Sequence, residues 1–470
     1  MTHTSTEAEE RLGRSPFRRA LAVTIAVLVV LVAAFAGLNY LQGPKLSSAT
    51  IDASSAVAKA GQQLRLFANQ NISAVKKSQV TITPAAPFSV NSSGEIIAVQ
   101  FGTRLSYDTQ YRVTVKSVTS LYQDRPQTFR YSFTTAKAQF YYLDRADPTA
   151  GGDQLDSIVR TGLSGGRGTV VYSAPHIQEF VVFPQLIAVA TLGDDKTGSL
   201  SLVSLSGGPV EQVALPGSGT IGRLEASPDA GMLGFLFTGA GPSGSYSSDL
   251  MLVDLTGTHV VQPVLGLDSR PLGVADWQFL SGSTSFVAQT FDQTVLLIDA
   301  KKPGSSVPLG QYAELGRSSP DGKTLIVSDV FGKIAYSLAD GKETRLPALP
   351  IAGAGSFGGD LELLGSGNAR VQQVAVFDTS GGNSYRSYLV YEQGTTSRIL
   401  FQTANGKGSI DGFSVSPNGQ YVAVNVVPDV ASSVSDGYFV NPKSTSITTV
   451  FIDIATGNLV RSVAGFDESW

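Results

Sequence analysis

The sequence predicts an all-β chain: one membrane-crossing helix near the N-terminus, a small β-sandwich over residues 46–137, and a β-propeller over residues 138–470. Three observations carry this reading. Charged residues make up only 15% of the 470, while Gly and Pro number 50 and 22. That balance disfavours solvated helices and coiled coils and favours short strands joined by turns. A strand–turn–strand phrase ending in Gly recurs through the C-terminal two-thirds. A strongly apolar run of 19 residues without a charge stands at Ala20–Leu38.

The apolar run comes first in the chain. At 1.5 Å per residue it reaches about 28 Å, close to the thickness of a bilayer's hydrocarbon core. Arg11, Arg14, Arg18 and Arg19 precede it, and only Lys45 and Lys59 follow at once. The positive-inside rule then keeps residues 1–19 cytoplasmic, places residues 20–41 in the membrane and exports the rest. Its length favours a retained anchor over a cleaved signal peptide, although Ala34-Phe35-Ala36 has the form of a cleavage site; cleavage there would give a secreted protein.

Residues 46–137 read as about seven short strands with period-2 alternation and no helical stretch, the pattern of a sandwich. Leu64–Phe67, Gln79–Thr83, Ile96–Phe101, Tyr111–Lys116 and Phe129–Thr134 are the clearest. In the fourth, Tyr111, Val113 and Val115 share one face, and Tyr111 and Phe133 are expected in the core. The order Val80-Thr-Ile-Thr-Pro84, Leu105-Ser-Tyr-Asp-Thr-Gln-Tyr-Arg-Val-Thr-Val115 and Tyr131-Ser-Phe-Thr-Thr135 resembles the bacterial Ig-like domains of surface-layer and envelope proteins. The resemblance implies a spacer or adhesion module and brings no catalytic residue with it.

Beyond residue 138 the recurring phrase ends at Gly166, Gly208, Gly257, Gly304, Gly341, Gly394 and Gly457, with a mean spacing near 48 residues. Ser227-Pro-Asp, Ser319-Pro-Asp-Gly322 and Ser416-Pro-Asn-Gly419 mark alternate units. Such a period with four short strands per unit is that of propeller blades. The motifs resemble the WD40-like repeats of the TolB type, in which Ser-Pro-Asp-Gly lies in the first hairpin of a blade. Seven turns favour seven blades. The first unit lacks an inner strand before Phe140, which leaves six blades and an incomplete one as the alternative.

Blade topology places the second-to-third-strand loops on one face. Their candidates are Ala146–Gln154, Ala240–Ser248, Thr379–Asn383 and Val427–Ser444. A partner is expected there, with Tyr438 and Phe439 as candidate contacts. Asp194, Asp292, Asp329, Asp378 and Asp429 follow second strands. Asp favours such turns because its carboxylate bonds nearby backbone amides. Around one channel mouth the five would form a partial acidic ring able to hold a cation or a basic partner.

Composition narrows the chemistry. A net charge of −4 gives no electrostatic basis for nucleic-acid binding. The absence of Cys excludes disulfides, Cys-ligated zinc, iron–sulfur clusters and thiol catalysis. Three His leave little for a metal site, and no cofactor is expected. Gly162-Leu-Ser164-Gly-Gly166 matches G-x-S-x-G in letters, but a nucleophile elbow needs a strand–turn–helix where this segment is a repeated hairpin turn. His176 and His259 show no ligand spacing. The sequence reads as a non-enzymatic envelope binding or scaffold protein engaging a protein or glycan. A propeller enzyme, a glycan hydrolase or lyase using channel carboxylates, is the alternative.

Overall fold

The computed structural model describes residues 14–40, 43–146, 154–242, 244–302, 304–347, 356–365, 369–377, 385–404 and 406–470. They begin with a helix over Arg14–Tyr40, whose exposed stretch Phe17–Ala34 is long and apolar enough to cross a membrane. The remainder forms two compact units, one through residue 105 and over 109–136, the other over 106–108 and 137–470.

The first unit is a two-sheet sandwich. Four strands pair in the order Leu46–Thr50, Gln63–Ala68, Ile96–Phe101 and Phe88–Ser93; three pair as Val80–Thr83, Gln110–Val118 and Gln127–Thr134. Seven strands match the count expected. Two short helical turns, Ser55–Ala58 and Lys77–Gln79, correct the expectation of none. Apolar residues at alternate positions from both sheets meet in one core, with Leu64, Ile97, Val99, Val113 and Val115 fully enclosed. Tyr111 stacks on Phe133 at 5.7 Å within it, as expected for core aromatics.

The second unit is a β-propeller. Among the described residues it holds seven four-stranded antiparallel sheets. Six follow chain order from inner to outer strand. Their inner strands are Ile177–Val182, Ser218–Ser227, Val274–Phe279, Glu314–Ser318, Ser356–Leu364 and Ser409–Val415. The remaining sheet, first in space, takes Gln139–Asp144, Asp156–Gly162 and Thr169–Ala174 from the start of the unit. Its inner strand, Phe466–Ser469, comes from the chain's end. The strand missing before Phe140 is thus supplied by the C-terminus. Each inner strand lies beside the next, and Phe466–Ser469 touches both the second and the seventh sheet, so the row closes into a ring.

Local chemistry explains the repeat. All seven glycine turns fall between third and fourth strands, and the G-x-S-x-G letters lie in the first of them. The Ser-Pro-Asp motifs fall between first and second strands. Ser319 Oγ accepts from Thr324 N at 3.0 Å and bonds Asp321; Ser416 Oγ accepts from Tyr421 N at 2.9 Å and bonds Asn418. Gly322 and Gly419 complete these turns at φ +68° and +73°, a region open to glycine at no steric cost. The segment Ala240–Ser248, expected as a loop, is instead the tip of a long hairpin in which strands run to Gly241 and from Gly244. Small residues there let the two strands continue pairing past the sheet's edge.

Candidate functional site

Antiparallel order sends the second-to-third-strand loops, and the connections from one sheet to the next, to one end of the ring. Each inner strand also carries a β-bulge near its middle. A bulge re-aims side chains out of the regular alternation. The seven inner strands together carry nine Asp or Glu and two Arg, and most of these stand at or beside a bulge. The channel wall is acidic.

The charges converge. Burial opposes the Arg317 guanidinium charge, but Glu225, Glu362, Glu468 and Asp360, from three other sheets, outweigh it and raise its pKa. The Arg317 side chain nonetheless keeps 63% of its accessible surface, so it stands in solvent space ringed by protein. Arg223, at φ +52°, pairs with Asp276 of the next sheet. Several carboxylates also latch sheet to sheet. Glu179 accepts from Leu224 N at 2.7 Å, and Glu362 Oε2 from Val415 N at 3.0 Å. Gln278 Oε1 does the same for Ser318 N at 3.0 Å. Burial pushes the Glu179, Glu362 and Asp467 carboxyls up.

Glu468 is the extreme case. Its Oε1 accepts from Ser414 Oγ at 2.7 Å, while its Oε2 is enclosed. Burial lifts its pKa to about 7. A carboxyl raised in the folded state stabilises it fully below the unfolded pKa, near 4.5, and that stabilisation fades as pH rises through the folded value. The chain is therefore expected to lose on the order of 2 kcal/mol from this group between pH 4.5 and 7.5. Glu468→Gln should flatten that part of the pH–stability curve. Unchanged slope in urea titrations across this window would refute the assignment.

At the loop end, the segment between Val427 and Thr448 is pinned to the first two sheets. Arg145 Nη1 donates to Asp436 Oδ2 at 2.6 Å and Asn441 O at 2.9 Å. Its Nη2 donates to Gln178 O at 2.9 Å and its Nε to Ile177 O at 3.1 Å. The guanidinium lies 3.9 Å from the centre of the Tyr438 ring. Tyr438 Oη donates to Asp156 Oδ2 at 2.6 Å, and burial and then Asp156 push the phenol pKa up. Tyr438, expected as an exposed contact, is instead half-buried and braces Arg145 against Asp156. Its neighbour Phe439 is 63% exposed, with Lys196 Nζ 5.0 Å from its ring centre.

Of the expected aspartates, Asp292, Asp329 and Asp429 serve their own turns. Asp292 accepts from Thr294 N and Thr290 Oγ1, and Asp429 from Ala431 N. Asp329 accepts from Phe331 N and from Arg345, which holds its pKa down to about 2. Asp194 lies 3.7 Å from His176. Asp378 lies outside the described residues, as do Thr379–Asn383 and most of Ala146–Gln154. No group of three or more acidic or His side chains poised for a metal occurs among the described residues. The inner-strand carboxylates, which the sequence reading missed, carry the convergence instead. Their signal was the pairing of charges inside strand segments, Asp360-Leu-Glu362 and Asp467-Glu468.

Exposed phenylalanines mark the same end. Phe291, Phe331, Phe377 and Phe439 sit on or beside second-to-third-strand loops of the fourth to seventh sheets, and Phe357 near the start of an inner strand. Phe331 is 82% exposed. Phe357 and Phe377 meet edge-to-face at 5.4 Å. On the opposite end the exposed apolar side chains are aliphatic, among them Val210, Val260 and Leu459.

An all-β propeller with an acidic channel and an aromatic rim is the class of protein that this fold and site define. No family model matches the chain, and no curated protein does. Among solved structures it is similar to the dihydro-heme d1 dehydrogenase NirN in complex with DHE, at 15% identity and TM-score 0.41, covering 71% of this chain and 74% of that one. It is similar to TolB from Acinetobacter baumannii at 14% identity and TM-score 0.38, covering 83% and 81%. The Swd1 propeller domain of Myceliophteria thermophila matches at 14% and 0.40, covering 63% and 88%.

Proposed function

We propose that this chain is a membrane-anchored binding or scaffold protein of the cell envelope, which engages its partner through the loop face of a seven-bladed propeller. The helix Arg14–Tyr40 is the anchor, the Ig-like sandwich the spacer, and residues 138–470 the exported binding module. One observation carries the reading. Five exposed phenylalanines gather at a single end of the ring, where aromatic side chains are the residues enriched at binding hot spots. Arg345 lies 5.5 Å from the Phe331 ring centre, adding the second residue type typical of such contacts.

A photo-crosslinking residue placed at Phe291, Phe331 or Phe357 in native cells is expected to trap one defined envelope component. The same residue at Val210, Val260 or Leu459, on the other end, should trap none. Equal trapping from both ends would overturn the assignment of the face.

A further inference from the structure

The phenylalanine face has a charge partner in the channel that opens within it. The inner strands hold nine Asp or Glu against two Arg. Setting these aside from the chain's 38 Asp+Glu and 34 Lys+Arg leaves 29 against 32. The inner strands as a group are thus acidic, and the rest of the chain carries a slight basic excess. Arg317 shows what the channel wall accommodates: a guanidinium within reach of four carboxylates from three other sheets, still open to solvent. The apolar rim covers four consecutive sheets, from Phe291 in the fourth to Phe439 in the seventh.

Resting on the docking face proposed above, we infer that the partner is a protein segment that places Lys or Arg side chains in the channel mouth while its flanking apolar residues pack on the phenylalanine rim. The two halves divide the work. Rim contacts supply apolar burial, and the acidic wall selects the sign of charge and rejects acidic segments. The preference weakens as salt screens the carboxylates.

Two labelled nine-residue peptides of Leu and Ala test this, one with a central Arg-Lys pair and the other with a central Glu-Asp pair. Fluorescence anisotropy is read against the full-length chain in phosphatidylcholine nanodiscs, with empty nanodiscs as the blank. The basic peptide is expected to bind about tenfold or more tightly than the acidic one. Glu225→Gln with Asp360→Asn should abolish that difference, with unfolding midpoints confirming that the variant folds. Phe331→Ser with Phe357→Ser should weaken the basic peptide by a similar factor. Equal affinity for both peptides, still lowered by the phenylalanine changes, overturns the cationic preference and leaves the docking face standing. Binding indifferent to the phenylalanine changes, or none of either peptide, overturns the cationic insertion and removes the support of the rim as well.

Discussion

Arg145→Ala is expected to destabilise the propeller by about 3–5 kcal/mol. The side chain and its partner Asp436 are 3% and 4% exposed, so their pair is shielded from water and from salt. Truncating the arginine leaves the Asp436 carboxylate enclosed with its counter-ion gone, the situation that makes one-sided removal of a buried pair so costly. Three backbone carbonyls, of Ile177, Gln178 and Asn441, lose a donor at the same time, and the Tyr438 and Phe466 rings lose the cation between them. Arg145→Lys should recover only a minor part, because an ammonium lacks the planar fork that reaches four acceptors. Denaturant unfolding followed by the fluorescence of the enclosed Trp277 reads the effect. A loss below about 1 kcal/mol would contradict the buried-pair account.

Deleting Phe466–Trp470 is expected to cost more still, above about 4 kcal/mol, with the propeller becoming protease-sensitive in its first sheet. Phe466 is buried and pairs with Leu143. The Trp470 ring packs 5.6 Å from that of Phe451 and 6.2 Å from that of Phe140. Its indole N donates to Ser414 Oγ at 3.1 Å. The deletion removes a core aromatic, exposes the Gln139–Asp144 edge and breaks contact between the first and seventh sheets together. Phe466→Ala alone should cost about 3–5 kcal/mol through the cavity it leaves. Cleavage and unfolding profiles matching the intact chain would show that the C-terminal strand is dispensable.

The local part of this architecture was legible in the residues. Gly166 through Gly457 marked every third-to-fourth-strand turn because such turns place specific demands on the backbone. Ser319 and Ser416 marked first hairpins because their hydroxyls close the turn. The apolar helix was legible because bilayer thickness sets a length. What escaped was whatever depends on closure. Phe466–Ser469 carries no sign that it pairs with Gln139–Asp144 more than 300 positions earlier. The channel carboxylates were invisible as a group because each belongs to a different repeat, and a bulge rather than simple alternation decides where each points. Tyr438 reads as outward-facing in the sequence because a long loop with aromatics is expected to be exposed. Its orientation depends on Arg145, which is nearly 300 residues away.

Closure of the ring by Phe466–Ser469 also imposes an order of assembly on the propeller. The chain emerges N-terminus first, and the sandwich has all its strands in hand long before the propeller does. The first propeller sheet stays open on its inner side until Phe466–Ser469 has been made. Any product that stops early carries a bare strand edge at Gln139–Asp144 with unpaired amides and carbonyls, an open invitation to aggregation and proteolysis. Pairing with Phe466–Ser469 hides it. The first propeller sheet thus depends for its inner edge on a strand made more than 300 residues after its neighbour.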